Sequence, residues 1–180
     1  MSMETFADIA TRLCTACGMC CDGTMFQIVK MQPGDHPSEL ARLGMRIRHS
    51  HKESEYHMEQ PCPALKGLRC TIYEKRPARC RLFHCQQLRL LETGGTTEED
   101  AAALINKTRA QAAHVRELIE QCGLREDGQP LPERFERVMS TPVDEKLEPE
   151  LAALREDLDN AMSGLRLALN REFRPPPLSE

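Results

Sequence analysis

Eight of the chain's nine cysteines fall between positions 14 and 85, and four of them crowd into CTACGMCC, Cys14 to Cys21. The spacing C-x2-C-x2-C-C, then C-x7-C-x9-C-x4-C, makes Cys14, Cys17, Cys20, Cys21, Cys62, Cys70, Cys80 and Cys85 the candidate ligands of a metal cofactor. Cysteines two residues apart chelate readily, because a tight loop aims both thiolates and the intervening amides at one point. Gly18 inside that loop helps the backbone turn. Adjacent Cys20 and Cys21 are constrained further, since consecutive side chains of an extended chain leave on opposite faces. They are expected to serve different centres. Eight thiolates divide into two fours in 35 ways, of which 20 part Cys20 from Cys21, and spacing does not choose among those.

Disulfides are the rival reading of so many cysteines, and compartment separates the two. The first residues, MSMETFADIATRL, carry Glu4 and Asp8 and lack the apolar run of a secretory signal. No stretch approaches the roughly 18 apolar residues of a membrane span. A cytoplasmic location follows as the expectation, and reducing cytosol favours metal over structural disulfides. Charge adds to this. Lys66, Arg69, Lys75, Arg76, Arg79 and Arg81 stand against Glu74 alone between Cys62 and Cys85, which would offset the negative charge of a four-thiolate centre. Residues 1–95 hold 13 Lys plus Arg and 10 Asp plus Glu, and residues 96–180 hold 11 and 18. That balance is too weakly basic for a nucleic-acid partner.

The expected fold class is α+β: a small, irregular, metal-stabilised cysteine-cluster domain over residues 1–95, followed by an α-helical hairpin over 96–180. In the first part, FQIVKM at 26–31 reads as a short strand, Ser38 as the cap of a short helix, and RPARCRLF as a helix start behind Pro77. Turns are expected at Pro33-Gly34-Asp35, Pro61, Pro63 and Lys66-Gly67. Thr96 and Glu99 form a capping-box pattern, and Ala101, Leu104, Ile105, Thr108, Ala112, Val115, Leu118 and Ile119 continue at helical spacing to a stop before Gly123. A turn-rich link, REDGQPLP, and a helical piece, ERFERVM, lead to a second long helix opened by Pro149, with a stripe through Leu151, Leu154, Leu158 and Leu165. RPPPLSE ends it. Cys122 extends the first stripe and reads as a small hydrophobe.

CTACGMCC, followed by CPAL, CTIYEKRPARCRLF and Cys85, resembles the YkgJ-type cysteine-cluster proteins, the zinc- or iron-chelating domain family. The resemblance spans residues 14–85, places the family's cysteine motif on the eight residues above, and matches its usual shape at Tyr73, Arg76 and Pro77. It implies a metal centre in a cytosolic bacterial protein. It also implies a further alternative, a role accessory to a protein-modification enzyme, because similar clusters occur beside methyl transfer to flagellin lysines.

For the metal, C-x2-C-x2-C with Cys62-Pro63 further on is a ferredoxin-like arrangement and favours an iron-sulfur cluster of the 4Fe-4S type. Zinc is the alternative, since four thiolates suffice and one site stabilises a core-poor segment by about 10 kcal/mol or more. His49, His51, His57 and His84 are weaker ligand candidates. No nucleophile elbow, phosphate loop or dinucleotide fingerprint is present. The expected function is therefore a redox or electron-transfer protein. A zinc-stabilised interaction module is the alternative, with the C-terminal helices packing on the cysteine half, docking a protein partner or forming a homodimer.

Overall fold

The computed structural model describes residues 5–50, 55–125, 128–144 and 146–176, so His51, Glu126, Asp127 and the last four residues of RPPPLSE lie outside the described residues. The fold is α+β. The chain divides into two compact units, Met1–His84 and Cys85–Glu180; the change of sequence character at Thr96 falls within the second.

The first unit opens with a helix for which the sequence reading assigned no element. In α1, Phe6–Cys17, the Asp8 carboxylate accepts from the Thr5 amide (3.0 Å) and the Thr5 hydroxyl (2.7 Å), while the Asp8 amide donates back to that hydroxyl (3.3 Å). Gly18, at φ +70°, ends the helix and donates its N–H to the Cys14 carbonyl.

β1, Ile28–Lys30, is the strand expected in FQIVKM. It pairs antiparallel with β3, Glu55–Glu59, which also pairs with β2, Ile47–Ser50, in the order β1-β3-β2. Val29 and Ile47 both lie opposite Met58, so one apolar row crosses the sheet. Between β1 and β2, α2 spans Pro37–Arg42. Here the expected cap is corrected: Pro37 takes the first helical position and Ser38 falls inside the first turn, because proline's fixed φ already suits a helix start.

A ribbon of β4, Leu65–Lys66, and β5, Arg69–Cys70, turns through Gly67 at φ +60°. A 3-10 turn, Tyr73–Lys75, and α3, Ala78–Leu82, follow, with Pro77 leading into the helix as expected. Val29, Leu40, Met45, Met58, Cys62 and Ala64 form the buried cluster of this unit.

The second unit is helical. α4 covers Gln86–Glu92, α5 Glu98–Gln121, α6 Leu131–Ser140 and α7 Pro149–Ala168, which continues into a π-helical turn, Leu169–Phe173. The cap of α5 is one residue later than expected: TTEED offers two overlapping capping pairs, and the structure uses Thr97 with Asp100 (3.1 Å). Its end before Gly123, at φ +94°, is as expected.

α5 and α7 pack along each other, burying Ile105, Ala112, Val115 and Ile119 against Leu158, Met162 and Leu165. The π turn packs on α4, the element preceding α5, so the two long helices run antiparallel. α6 touches both and buries Leu131, Phe135 and Val138, making the connection a third packed helix. Among the described residues no helix is long and apolar enough to cross a membrane.

Candidate metal centre

Four cysteines from four separate segments meet at the buried cluster of the first unit. Cys62 belongs to that cluster, and Cys21, Cys70 and Cys80 pack against it. Backbone bonds hold the arrangement. The Cys62 amide donates to the Cys21 carbonyl (2.7 Å), Cys70 faces Leu65 across the ribbon, and Thr71 donates to the Ala64 carbonyl (2.9 Å). Cys80 sits in α3, which packs on β1.

The residues singled out in CTIYEKRP turn out to be structural fasteners. The Tyr73 hydroxyl lies 3.1 Å from that of Thr11 on α1, the Arg76 guanidinium stacks 3.5 Å over the Tyr73 ring, and its Nε donates to the Tyr73 carbonyl (2.9 Å).

Electrostatics marks the four as one group. Burial raises the Cys21 thiol far above the ordinary value, and Cys62, Cys80 and Cys70 push it further up. Cys80 is pushed up to about 12, first by burial and then by Cys62, with Arg76 pulling back. Cys62 is raised by burial, against the backbone N–H groups of Ala64 and Leu65 and the charge of Arg46. Thiols so placed keep their protons near neutral pH unless a cation takes the protons' place.

The expected role of the basic run needs correction. Lys66, Arg69, Lys75, Arg79 and Arg81 are solvent-exposed, and only Arg76 of the six pulls on one of the clearly shifted cysteines. Arg46, whose Nη2 donates to the Pro61 carbonyl (2.6 Å), was not singled out by its sequence position. Five of the six charges near in sequence face water, and the two that act on the cysteines are Arg76, on Cys80, and Arg46, on Cys62.

The donor chemistry suits a soft cation, since thiolate ligands select zinc and iron-sulfur centres. The shell itself is not closed: among the described residues, no three or more His, Cys, Asp or Glu side chains form a ready group for a metal ion. The four thiols are neighbours around one apolar cluster, not a formed coordination shell.

The other expected cysteine ligands sit on α1, in the turn after it and at the start of α4. Cys14 and Cys17 occupy the last turn of α1 at i and i+3, not a loop as expected, so helix geometry sets their common face. Cys20 follows in the turn after Gly18. Cys85 precedes α4 at its N-cap position, where burial raises its pKa against the amides of Leu88 and Gln87. Cys122 caps the C-terminus of α5, raised by burial, with Arg155 opposing. His49 leans on Tyr56 (4.7 Å), His57 pairs opposite Lys30 and Arg48, and His84 leans on Phe6 (5.9 Å). None of the nine cysteines is in a disulfide.

No curated protein and no solved structure matches the chain. A family model does, over residues 13–110, more than half of the sequence and beyond the cysteines into α5. With its cysteine cluster and this match, the chain belongs to the CxxCxxCC family, described as "Putative zinc- or iron-chelating domain".

Proposed function

We propose that Cys21, Cys62, Cys70 and Cys80 hold an iron-sulfur centre and that the protein serves a redox or electron-transfer role. The observation behind this reading is the convergence of those four thiols from segments up to sixty residues apart on one buried apolar cluster. Cys21, Cys62, Cys70 and Cys80 would hold the cluster. Bound there, it would supply reversible one-electron chemistry. The amides of Ala64 and Leu65 at the Cys62 sulfur are donors of the kind that tune such a centre.

Zinc is favoured by a different observation. Cys62 stands beside Cys21, Cys70 and Cys80 while Cys14 and Cys17 lie on a helix, a grouping that does not depend on the C-x2-C-x2-C spacing. Four thiolates then suffice for a closed structural zinc site. Metal and acid-labile sulfide analysis of oxygen-free protein separates the two. Iron with stoichiometric sulfide and broad visible absorption is expected; colourless protein holding zinc alone would replace the redox reading with the structural one.

A further inference from the structure

The Pro33-Gly34-Asp35 turn contributes more than a change of direction. The Asp35 amide donates to the Gln32 carbonyl (3.0 Å), and Asp35 Oδ2 accepts from the Gln32 amide in return (2.8 Å). Its second oxygen, Oδ1, accepts from the amide of Ala78, 43 residues away (2.8 Å). Ala78 is the first residue of α3, and Cys80 is the third.

A five-residue helix does not hold its shape alone, because nucleation outweighs so few hydrogen bonds. The residue at the N-cap, Pro77, has no side-chain donor or acceptor, so the first amide of α3 is satisfied by Asp35 instead. The choice of a carboxylate is costly in one respect: its charge works against Cys80 ionising. A negative group beside thiols that must become thiolates is tolerated where geometry requires it, and here one carboxylate fixes two amides at once.

We infer that Asp35 is the positioning residue of the four-cysteine centre, clamping the start of α3 so that Cys80 enters the cluster beside Cys21, Cys62 and Cys70. This rests on the centre proposed above, and its test uses one readout with metal and one without.

Three variants divide the roles. Asp35→Ala removes both bonds and the charge. Asp35→Asn keeps one acceptor for Ala78 and drops the charge. Ala78→Pro deletes only the donor: proline suits the first helical position, and Pro77 already has the extended backbone (φ −53°, ψ 151°) that a following proline requires.

Reduced, metal-free full-length chains are titrated with Co2+ and then Zn2+, following the thiolate-to-cobalt absorption, with far-UV circular dichroism as the control for folding. Asp35→Ala and Ala78→Pro are expected to weaken binding by about 10- to 100-fold, as for other outer-shell partners of metal ligands, and Asp35→Asn to recover most of the loss. In the same metal-free proteins, alkylation of Cys80 by iodoacetamide, read by mass spectrometry, is expected to be several-fold faster in Asp35→Ala and Ala78→Pro. Wild-type cobalt affinity together with an unchanged Cys80 alkylation rate in Ala78→Pro, which does not depend on Asp35→Ala folding, would overturn the inference. A wild-type chain that gives no thiolate-to-cobalt band would instead remove the proposed centre, leaving the alkylation rates to decide the role of Asp35.

Discussion

Gly18 shows how much a single position carries. At φ +70° it ends α1 between Cys17 and the Cys20-Cys21 turn, and a Cβ there would come within 3.1 Å of the Leu68 side chain. Gly18→Ala is expected to destabilise the chain by about 1–2 kcal/mol from the left-handed backbone alone. Urea unfolding of the metal-free protein measures it. The thiols give a pH prediction whose sign follows from burial. Below about pH 9, the ordinary thiol value, Cys80 is protonated in folded and unfolded chains alike; above it the unfolded chain ionises while the folded one resists to about 12. Metal-free stability should therefore be complete below about pH 9 and fall as the pH climbs towards 12, with Cys21 and Cys62 adding in the same direction. Thermal melts across that range check it, and a stability that rises with alkalinity would contradict the burial of these groups. At this scale the cysteines were legible because their spacing is a chemical signature in itself. Asp35 and Arg46 were not, since each acts on a partner distant in sequence, and nothing local distinguishes them from surface charges.

Elements were legible in proportion to the strength of their periodicity. α5 and α7 present long apolar stripes with capping and stop signals, so they stood out, whereas β2 and β3 bury one residue, Met58, between them and read as a polar stretch. α4 escaped notice for a related reason: its seven residues are too few to show a period. It is nonetheless fastened, because buried Gln87 donates from Nε2 to the Glu172 carbonyl in the π turn (2.7 Å). Gln87→Ala leaves that part-buried carbonyl without its partner, so a loss of roughly 1 kcal/mol is expected in denaturant unfolding. Leu158, fully buried where α7 meets α5, should cost more: Leu158→Ala is expected to lose about 2–5 kcal/mol. Loss of the cooperative helical transition by circular dichroism is the readout.

The two units differ in what fills them. The helical unit buries branched aliphatics and two phenylalanines, Phe135 and Phe173; the cysteine unit buries Met19, Met25, Met45 and Met58 with few branched side chains, and its cysteines line the same interior. The sequence reading anticipated sulfur-metal bonds in place of an apolar interior, but the structure does have an apolar interior, and the thiols are themselves part of its packing. Chelation is therefore expected to raise hydrogen exchange across β1, β3 and the β4-β5 ribbon while α5 and α7 stay protected. Uniform protection with and without metal would show that packing alone suffices.

The sulfur of Met45 lies 3.8 Å from that of Cys62. Peroxide that reaches this interior meets a thioether as well as thiols, and a sulfoxide there would place a polar, chiral group in an apolar lining. Thiol reductants restore disulfides and sulfenic acids to free thiols but leave a sulfoxide in place. A preparation once exposed to air could thus regain all its titratable thiols and still fail to close around its cation.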